Sequence, residues 1–217
     1  KTAYEIPKRD WSSDVCSSDL DAILGEEYGD TPGTSGFRWY LDPIDGTRAF
    51  ITGQPLWGTL IGLAQQDKPV MGMLDQPVAK ERFVAAMGKS HMQDAAGRKP
   101  LKTRACVSLK DAVITTTHPW DYFDTEEEAR FTRLAKAARM SRFGGDCYGY
   151  ALLASGYTDI VAEAQLKLWD VAALIPIIEG AGGVITDWEG GSALGGGRVL
   201  ACGDPRLHEE ALRMLRR

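Results

Sequence analysis

Trp39-Tyr40-Leu41-Asp42-Pro43-Ile44-Asp45-Gly46-Thr47-Arg48-Ala49-Phe50 places two aspartates three positions apart, with a proline between them and a glycine directly after. The Asp-Pro-x-Asp-Gly run reads as a turn, about which both carboxylates can aim at one point while the Ile44 carbonyl faces the same way. This set supplies hard oxygen donors and neither nitrogen nor sulfur, which favours Mg²⁺ or Mn²⁺ over Zn²⁺. Gly46 and Thr47 can then present backbone N–H groups and a hydroxyl to a phosphate held beside the cation.

On either side of this motif, short apolar runs at 37–41, 56–64, 70–74 and 82–86 are bounded by Gly, Pro and Asp. They predict successive strands of a meandering sheet. From Thr125 the period changes: Thr125 and Glu128 predict a capping box, and Phe131, Leu134, Ala135 and Ala138 recur at helical spacing. Further elements follow: a strand at 112–116, a helix from Glu126, a helix near 148–155 and a strand at 159–162. After them come a helix from Asp170 and strands at 184–187 and 198–202. Pro176 lies within the helix after Asp170 and predicts a kink or break there. Asp204 and Pro205 predict the start of a last helix that buries Leu207, Ala211, Leu212 and Leu215. Alternation of this kind predicts a layered α/β protein, with a 21–110 sheet-rich half and a 111–217 α/β half.

Two other acidic clusters accompany the motif, Glu26-Glu27 and Trp169-Asp170. Each alone has a plain reading, a solvated pair for the first and a helix N-cap for Asp170. Together with Asp42 and Asp45 they point instead to a metal site.

A net charge of −5 with no Lys/Arg-rich run argues against nucleic acid as partner. No apolar run approaches the ~20 residues of a membrane span, and no signal-peptide core is present. The four cysteines are scattered without a CxxC pair, which fits a reducing cytoplasm. His91, His118 and His208 are also scattered and read as surface or satisfied histidines, while Trp57 and Trp120 are candidate pocket walls. Trp11-Ser-Ser-Asp-Val-Cys-Ser-Ser-Asp-Leu20 has no periodicity and back-translates into the end of a common sequencing adapter, so residues 1–20 are read as non-native.

The strings GEE, WYLDPIDGTRAF and LWDVAALIPIIEGAGGVITDW, in this order, resemble the inositol monophosphatase superfamily from about Ala22 to the end. DGTRAFITGQPLWGTLIGL and FGGDCYGYALLASG resemble its bacterial histidinol-phosphatase branch. The resemblance implies an αβαβα sandwich, two or three Mg²⁺ ions, hydrolysis of a small phosphorylated metabolite, a homodimer and sensitivity to Li⁺. It assigns Glu26, Asp42, the Ile44 carbonyl, Asp45 and Asp170 to the metals. Glu26, Asp45 and Thr47 become the catalytic set, with Thr47 and Glu26 orienting the attacking water. Gly46, Thr47, Arg48, Asp146, Glu163 and Asp170 become the substrate side, and Glu27 stands behind Glu26.

Within this resemblance histidinol phosphate is the expected substrate, and inositol 1-phosphate or a 3′-phosphoadenosine nucleotide is the alternative. A reading of another class is a non-catalytic metal- or phosphate-binding remnant, because no counterpart of the family's N-terminal Lys-containing, PVTxAD-like loop is found. Asp146 carries the substrate expectation. The family's inositol phosphatases have small uncharged residues in this segment, and a carboxylate here suits the ammonium group of histidinol phosphate. Its plain reading is that it caps the helix that follows.

Overall fold

A computed structural model of the chain describes residues 20–27 and 29–216. The non-native reading of residues 1–20 therefore lies outside the described residues except for Leu20. Alternating burial builds the first sheet, as in β4, where Leu60, Gly62 and Ala64 turn inward while Ile61 and Leu63 on the other face are half-buried. Its strands are β1 (Ala22–Gly25), β2 (Gly29–Thr31), β3 (Phe37–Asp45), β4 (Gly58–Gln65), β5 (Lys68–Gln76), β6 (Glu81–Ala86), β7 (Lys89–Asp94) and β8 (Gly97–Pro100). They lie in the order β2-β1-β3-β4-β5-β6-β7-β8, an antiparallel meander from β3 onward with β1 parallel to β3.

The second sheet contains β9 (Val113–Thr116), β10 (Met140–Phe143), β11 (Ile160–Leu166), β12 (Val184–Asp187) and β13 (Gly197–Cys202), in the order β10-β9-β11-β13-β12. The helices are α1 (Thr47–Ile51), α2 (Pro119–Tyr122), α3 (Thr125–Ala137), α4 (Asp146–Ala154), α5 (Leu168–Val171), α6 (Leu174–Gly180) and α7 (Pro205–Leu215). α4 and α6 pack between the sheets, and α3 with α7 covers the far face of the second sheet. The layered α/β fold is as expected, and among the described residues four of the five layers of the αβαβα sandwich stand: sheet, helices, sheet, helices. One core, containing Leu60, Leu74, Tyr150 and Ile177, joins both sheets, and another, containing Ile114, Phe131, Trp188 and Leu200, lies beneath α3 and α7.

Several local expectations shift. The α3 cap is Asp124 rather than Thr125: its Oδ1 accepts from the N–H groups of Glu126 and Glu127 at 2.8 Å each, and Glu127, not Glu128, closes the box. An aspartate one residue earlier offers a stronger acceptor than the threonine hydroxyl. The break anticipated at Pro176 falls at Ala172–Ala173, between α5 and α6. Proline has no N–H for the Ala172 carbonyl four residues back, and its ring crowds that carbonyl. Gly62 and Gly72 make room for the break. A Cβ on Gly72 would lie 2.0 Å from the Ala173 carbonyl oxygen, and one on Gly62 would lie 2.8 Å from the Ala173 nitrogen. α5 begins at Leu168, so Asp170 sits in its first turn rather than at the N-cap.

Candidate active site

Asp42-Pro43-Ile44-Asp45 is strand, not turn. β3 runs through the motif, and Asp42 pairs with Leu60 while Asp45 pairs with Gly58. Three steps on β3 therefore face two steps on β4, which is a one-residue bulge. The bulge has a geometric consequence. In a regular strand residues three apart point to opposite faces, but partners two apart on β4 share a face, so Asp42 and Asp45 emerge on the same side. It also tolerates Pro43, which has no N–H for a ladder.

The Ile44 N–H donates to Asp42 Oδ1 at 2.9 Å, and the Thr47 hydroxyl donates to the Ile44 carbonyl at 3.1 Å. Gly46 then turns the chain into α1 with φ 80°, and a Cβ there would meet Asp146 at 3.1 Å and the Trp57 backbone at 3.2 Å. Only glycine fits this corner.

Asp170 reaches the same place from α5, held by the Lys167 N–H, which donates to its Oδ2 at 2.7 Å. Carboxylate oxygens of Asp42, Asp45 and Asp170 all lie within 4.8 Å of one another. Burial, reinforced by repulsion from Asp45 and Glu26, pushes the Asp42 carboxyl well above the usual range. Burial and the Asp170 charge do the same to Asp45, although the Cys147 N–H at 2.8 Å counters them. Asp170 is raised to about 6, chiefly by burial. Three partly desolvated carboxylates that repel one another, with no salt bridge to any of them among the described residues, fit a divalent cation. Their donor atoms are all hard oxygens, the chemistry that Mg²⁺ accepts. Exposed Glu26 borders the same cavity.

All ten residues assigned from the sequence to metal, catalysis or substrate line one cavity of about 290 Å³: Glu26, Asp42, Ile44, Asp45, Gly46, Thr47, Arg48, Asp146, Glu163 and Asp170. Glu27 does not line it. Glu163 lies within β11, beyond the 159–162 strand read from the sequence and just before an irregularity in the pairing with β13. Its carboxylate accepts from the Thr117 N–H at 2.9 Å, the Thr117 hydroxyl at 2.5 Å and the Tyr150 hydroxyl at 3.1 Å. Burial nevertheless raises it to about 7. Asp146 does not cap α4: Gly145 holds the N-cap position without a side-chain cap bond, and the Asp146 carboxylate makes no hydrogen bond among the described residues. Burial raises its carboxyl, while the Arg48 charge draws it down.

Thr117, Tyr122, Cys147 and Tyr150 also line the cavity and were not singled out from the sequence. Tyr150 follows Asp146 by one helical turn, a spacing that could have flagged it. Burial holds the Cys147 thiol well above its usual range, which disfavours the reactive thiolate. Trp57 and Trp120 do not line the cavity. Trp57 packs edge-on against Phe50 with ring centres 5.0 Å apart, and Trp120 is 66% exposed. His208 pairs with Thr186 at 2.9 Å and His91 with Arg98 at 3.0 Å, away from the cavity.

Residues 15–217 match the Inositol monophosphatase family. The chain belongs to that family. Among similar proteins, the bifunctional phosphatase IMPL2, chloroplastic, of Arabidopsis thaliana is 42% identical over 89% of this chain, which spans 58% of that protein's length. A histidinol-phosphatase of Mycobacterium tuberculosis (strain ATCC 25618 / H37Rv) is 34% identical over 90% of this chain and 75% of its own. An inositol monophosphatase from Zymomonas mobilis has the same fold, with a TM-score of 0.84, 40% identity, and coverage of 93% of this chain and 77% of that one. No helix among the described residues is long and apolar enough to cross a membrane.

Proposed function

We propose that this chain is a Mg²⁺-dependent phosphomonoester hydrolase whose substrate carries a positive charge besides its phosphate, with histidinol phosphate the best fit. The observation that carries the substrate reading is Asp146. It is a carboxylate without a hydrogen-bond partner among the described residues, in the same cavity as Glu163 and the three aspartates. A cavity carrying the aspartate cluster together with two further carboxylates suits a ligand with one anionic and one cationic group. Relatives named histidinol-phosphatase support the same reading.

In this reading Asp42, Asp45 and Asp170, with Glu26 and the Ile44 carbonyl, hold two or three Mg²⁺ ions. Bound Mg²⁺ would supply Lewis-acid stabilisation of phosphoryl charge and a lowered pKa for the attacking water. Glu26 and Thr47 orient that water. Gly46 and Thr47 hold the phosphate, and Asp146 with Glu163 receives the ammonium group. A homodimer in a reducing compartment such as the cytoplasm completes the proposal, which light scattering would test for the assembly.

A second reading, inositol 1-phosphate as substrate, is favoured by similarity to an inositol-1-monophosphatase of Mycolicibacterium smegmatis (strain ATCC 700084 / mc(2)155), 29% identical over 89% of this chain. Phosphate release from both substrates by wild type and Asp146→Ala separates the two. A charge-assisted hydrogen bond contributes ~1.5–3 kcal/mol, so kcat/KM for histidinol phosphate should fall roughly 10- to 100-fold in the variant. The inositol 1-phosphate rate should change little. Equal losses on both, with a lower melting temperature, would remove the histidinol phosphate reading.

A further inference from the structure

Arg48 is the cation best placed to neutralise the Asp146 carboxylate. It lines the same cavity, and its charge is the influence that opposes burial at Asp146. Yet no hydrogen bond joins the two among the described residues. The guanidinium is turned elsewhere: Arg48 Nη1 donates to Asp121 Oδ2 at 2.5 Å, and its central carbon lies 4.7 Å from the centre of the Tyr122 ring. Both partners belong to α2, so Arg48 reaches from α1, beside the first sheet, to the helix that follows β9 of the second.

The two side chains are 58% and 47% exposed. An ion pair that open adds little to stability, because water screens it and two long side chains must be ordered to form it. What it does fix is the direction of the guanidinium. Tyr122 reinforces that direction through its ring face, although a cation–π contact constrains a guanidinium less than a carboxylate does.

We propose that Asp121 is a positioning residue for substrate choice: by holding Arg48 at the cavity rim, it leaves the Asp146 carboxylate open to the cationic group of the substrate. The inference rests on the cationic-substrate reading above. An arginine fork matches a carboxylate in two places at once and would displace a single ammonium group from it. Without the Asp121 charge, Asp146 is the cavity carboxylate on which Arg48 already acts.

The test is Asp121→Asn, a change of nearly equal volume at a half-exposed position, in the full chain with Mg²⁺. KM and kcat are measured separately with histidinol phosphate and with inositol 1-phosphate, and calorimetric binding of each gives the same comparison without turnover. KM for histidinol phosphate should rise about 5- to 20-fold with kcat within about twofold, while KM for inositol 1-phosphate moves less than about twofold. In an Arg48→Gln background the same Asp121→Asn change should move the histidinol phosphate KM by less than about twofold, because no guanidinium remains to be released.

Equal KM shifts on both substrates would overturn the proposal, since Arg48 would then serve the shared phosphate. An undiminished effect in the Arg48→Gln background would overturn it too, by showing that Asp121 acts through the fold. If Asp146→Ala loses histidinol phosphate selectively while Asp121→Asn changes nothing, only the positioning role falls. If Asp146→Ala shows no selective loss, the cationic-substrate reading falls and takes this role with it.

Discussion

The backbone N–H of Cys147 donates to Asp45 Oδ2 at 2.8 Å, joining residues 102 positions apart in the chain. Through this bond the first turn of α4 sets the orientation of a carboxylate on β3. It also brings Asp146 against Gly46, so that the aspartate cluster and the Asp146 side of the cavity share one seam. Distances across the cavity are thus fixed by how the first sheet seats against α4.

Gly72 should be among the least tolerant positions outside the cavity. A Cβ there would lie 2.0 Å from the Ala173 carbonyl, a backbone atom that no rotamer change can move aside. Overpacking in a core costs ~1–3 kcal/mol, and displaced backbone lies at the upper end. Gly72→Ala is expected to lower the melting temperature, and to weaken the thermal response to Mg²⁺ because Asp170 is carried on the adjoining α5. Wild-type melting with and without Mg²⁺ would contradict this.

Asp42→Asn should separate stability from function. Wild-type Asp42 is buried beside Asp45 and close to Asp170, and this repulsion opposes folding when no cation is present. Asparagine retains an oxygen for the Ile44 N–H. The variant should therefore melt at or above the wild-type temperature in EDTA, yet gain nothing from Mg²⁺ and release no phosphate. A Mg²⁺-induced rise equal to that of wild type would exclude Asp42 from the metal set.

Removal of the Thr47 hydroxyl should act on turnover rather than binding. The side chain is exposed and its hydroxyl donates to the Ile44 carbonyl at 3.1 Å, so little folding energy depends on it. If it orients water, Thr47→Ala should lose ~10²- to 10⁴-fold in kcat with KM nearly unchanged, and Thr47→Ser should recover most of that loss. A loss confined to KM would assign Thr47 to the phosphate alone.

A pH profile should reveal Glu163. Its folded value of about 7 lies above the ordinary glutamate range because of burial. Since the folded value is raised, the carboxyl's stabilising contribution is present at low pH and fades as pH rises from the ordinary range through about 7. Recognition has the opposite sign, because a cationic substrate needs the ionised form. The ratio of kcat/KM for histidinol phosphate over inositol 1-phosphate should climb between pH 6 and 8, and Glu163→Gln should flatten that climb. The same climb in the variant would assign it to another group.

How much of this was legible follows from the physics of each segment. β4, β5 and β6 announce themselves by alternation against a buried layer, as Leu60, Leu74 and Phe83 show. β7 and β8 carry Lys89, His91, Gln93 and Arg98 toward the sheet edge, where little apolar area is buried, and their sequences gave no strand signal. The residue types around Asp42 conveyed the oxygen-donor chemistry. The geometry did not follow from them, because a bulge exists only relative to the partner strand, here through Leu60 and Gly58. The cap alternative for Asp146 falls for a similar reason: Gly145 holds the N-cap position, and Asp146, with φ 43°, lies against Gly46, a contact 100 positions away in sequence. Tyr122 and Asp121 were missed because their importance comes from Arg48, which reaches them from 73 positions away in the case of Asp121.

The bulge in β3 belongs to the first sheet, whereas α5, which carries Asp170, follows β11 of the second, so the two meet only when α5 has docked on β3. A cation that needs all three aspartates therefore finds no complete site on a half-assembled chain. If closure is the late event of folding, Mg²⁺ binds after the rate-limiting barrier and leaves the refolding rate almost untouched, while slowing unfolding in proportion to its occupancy. The metal would then govern the lifetime of the native protein more than the speed of its birth, and cellular Mg²⁺ would set how long each copy survives proteolysis.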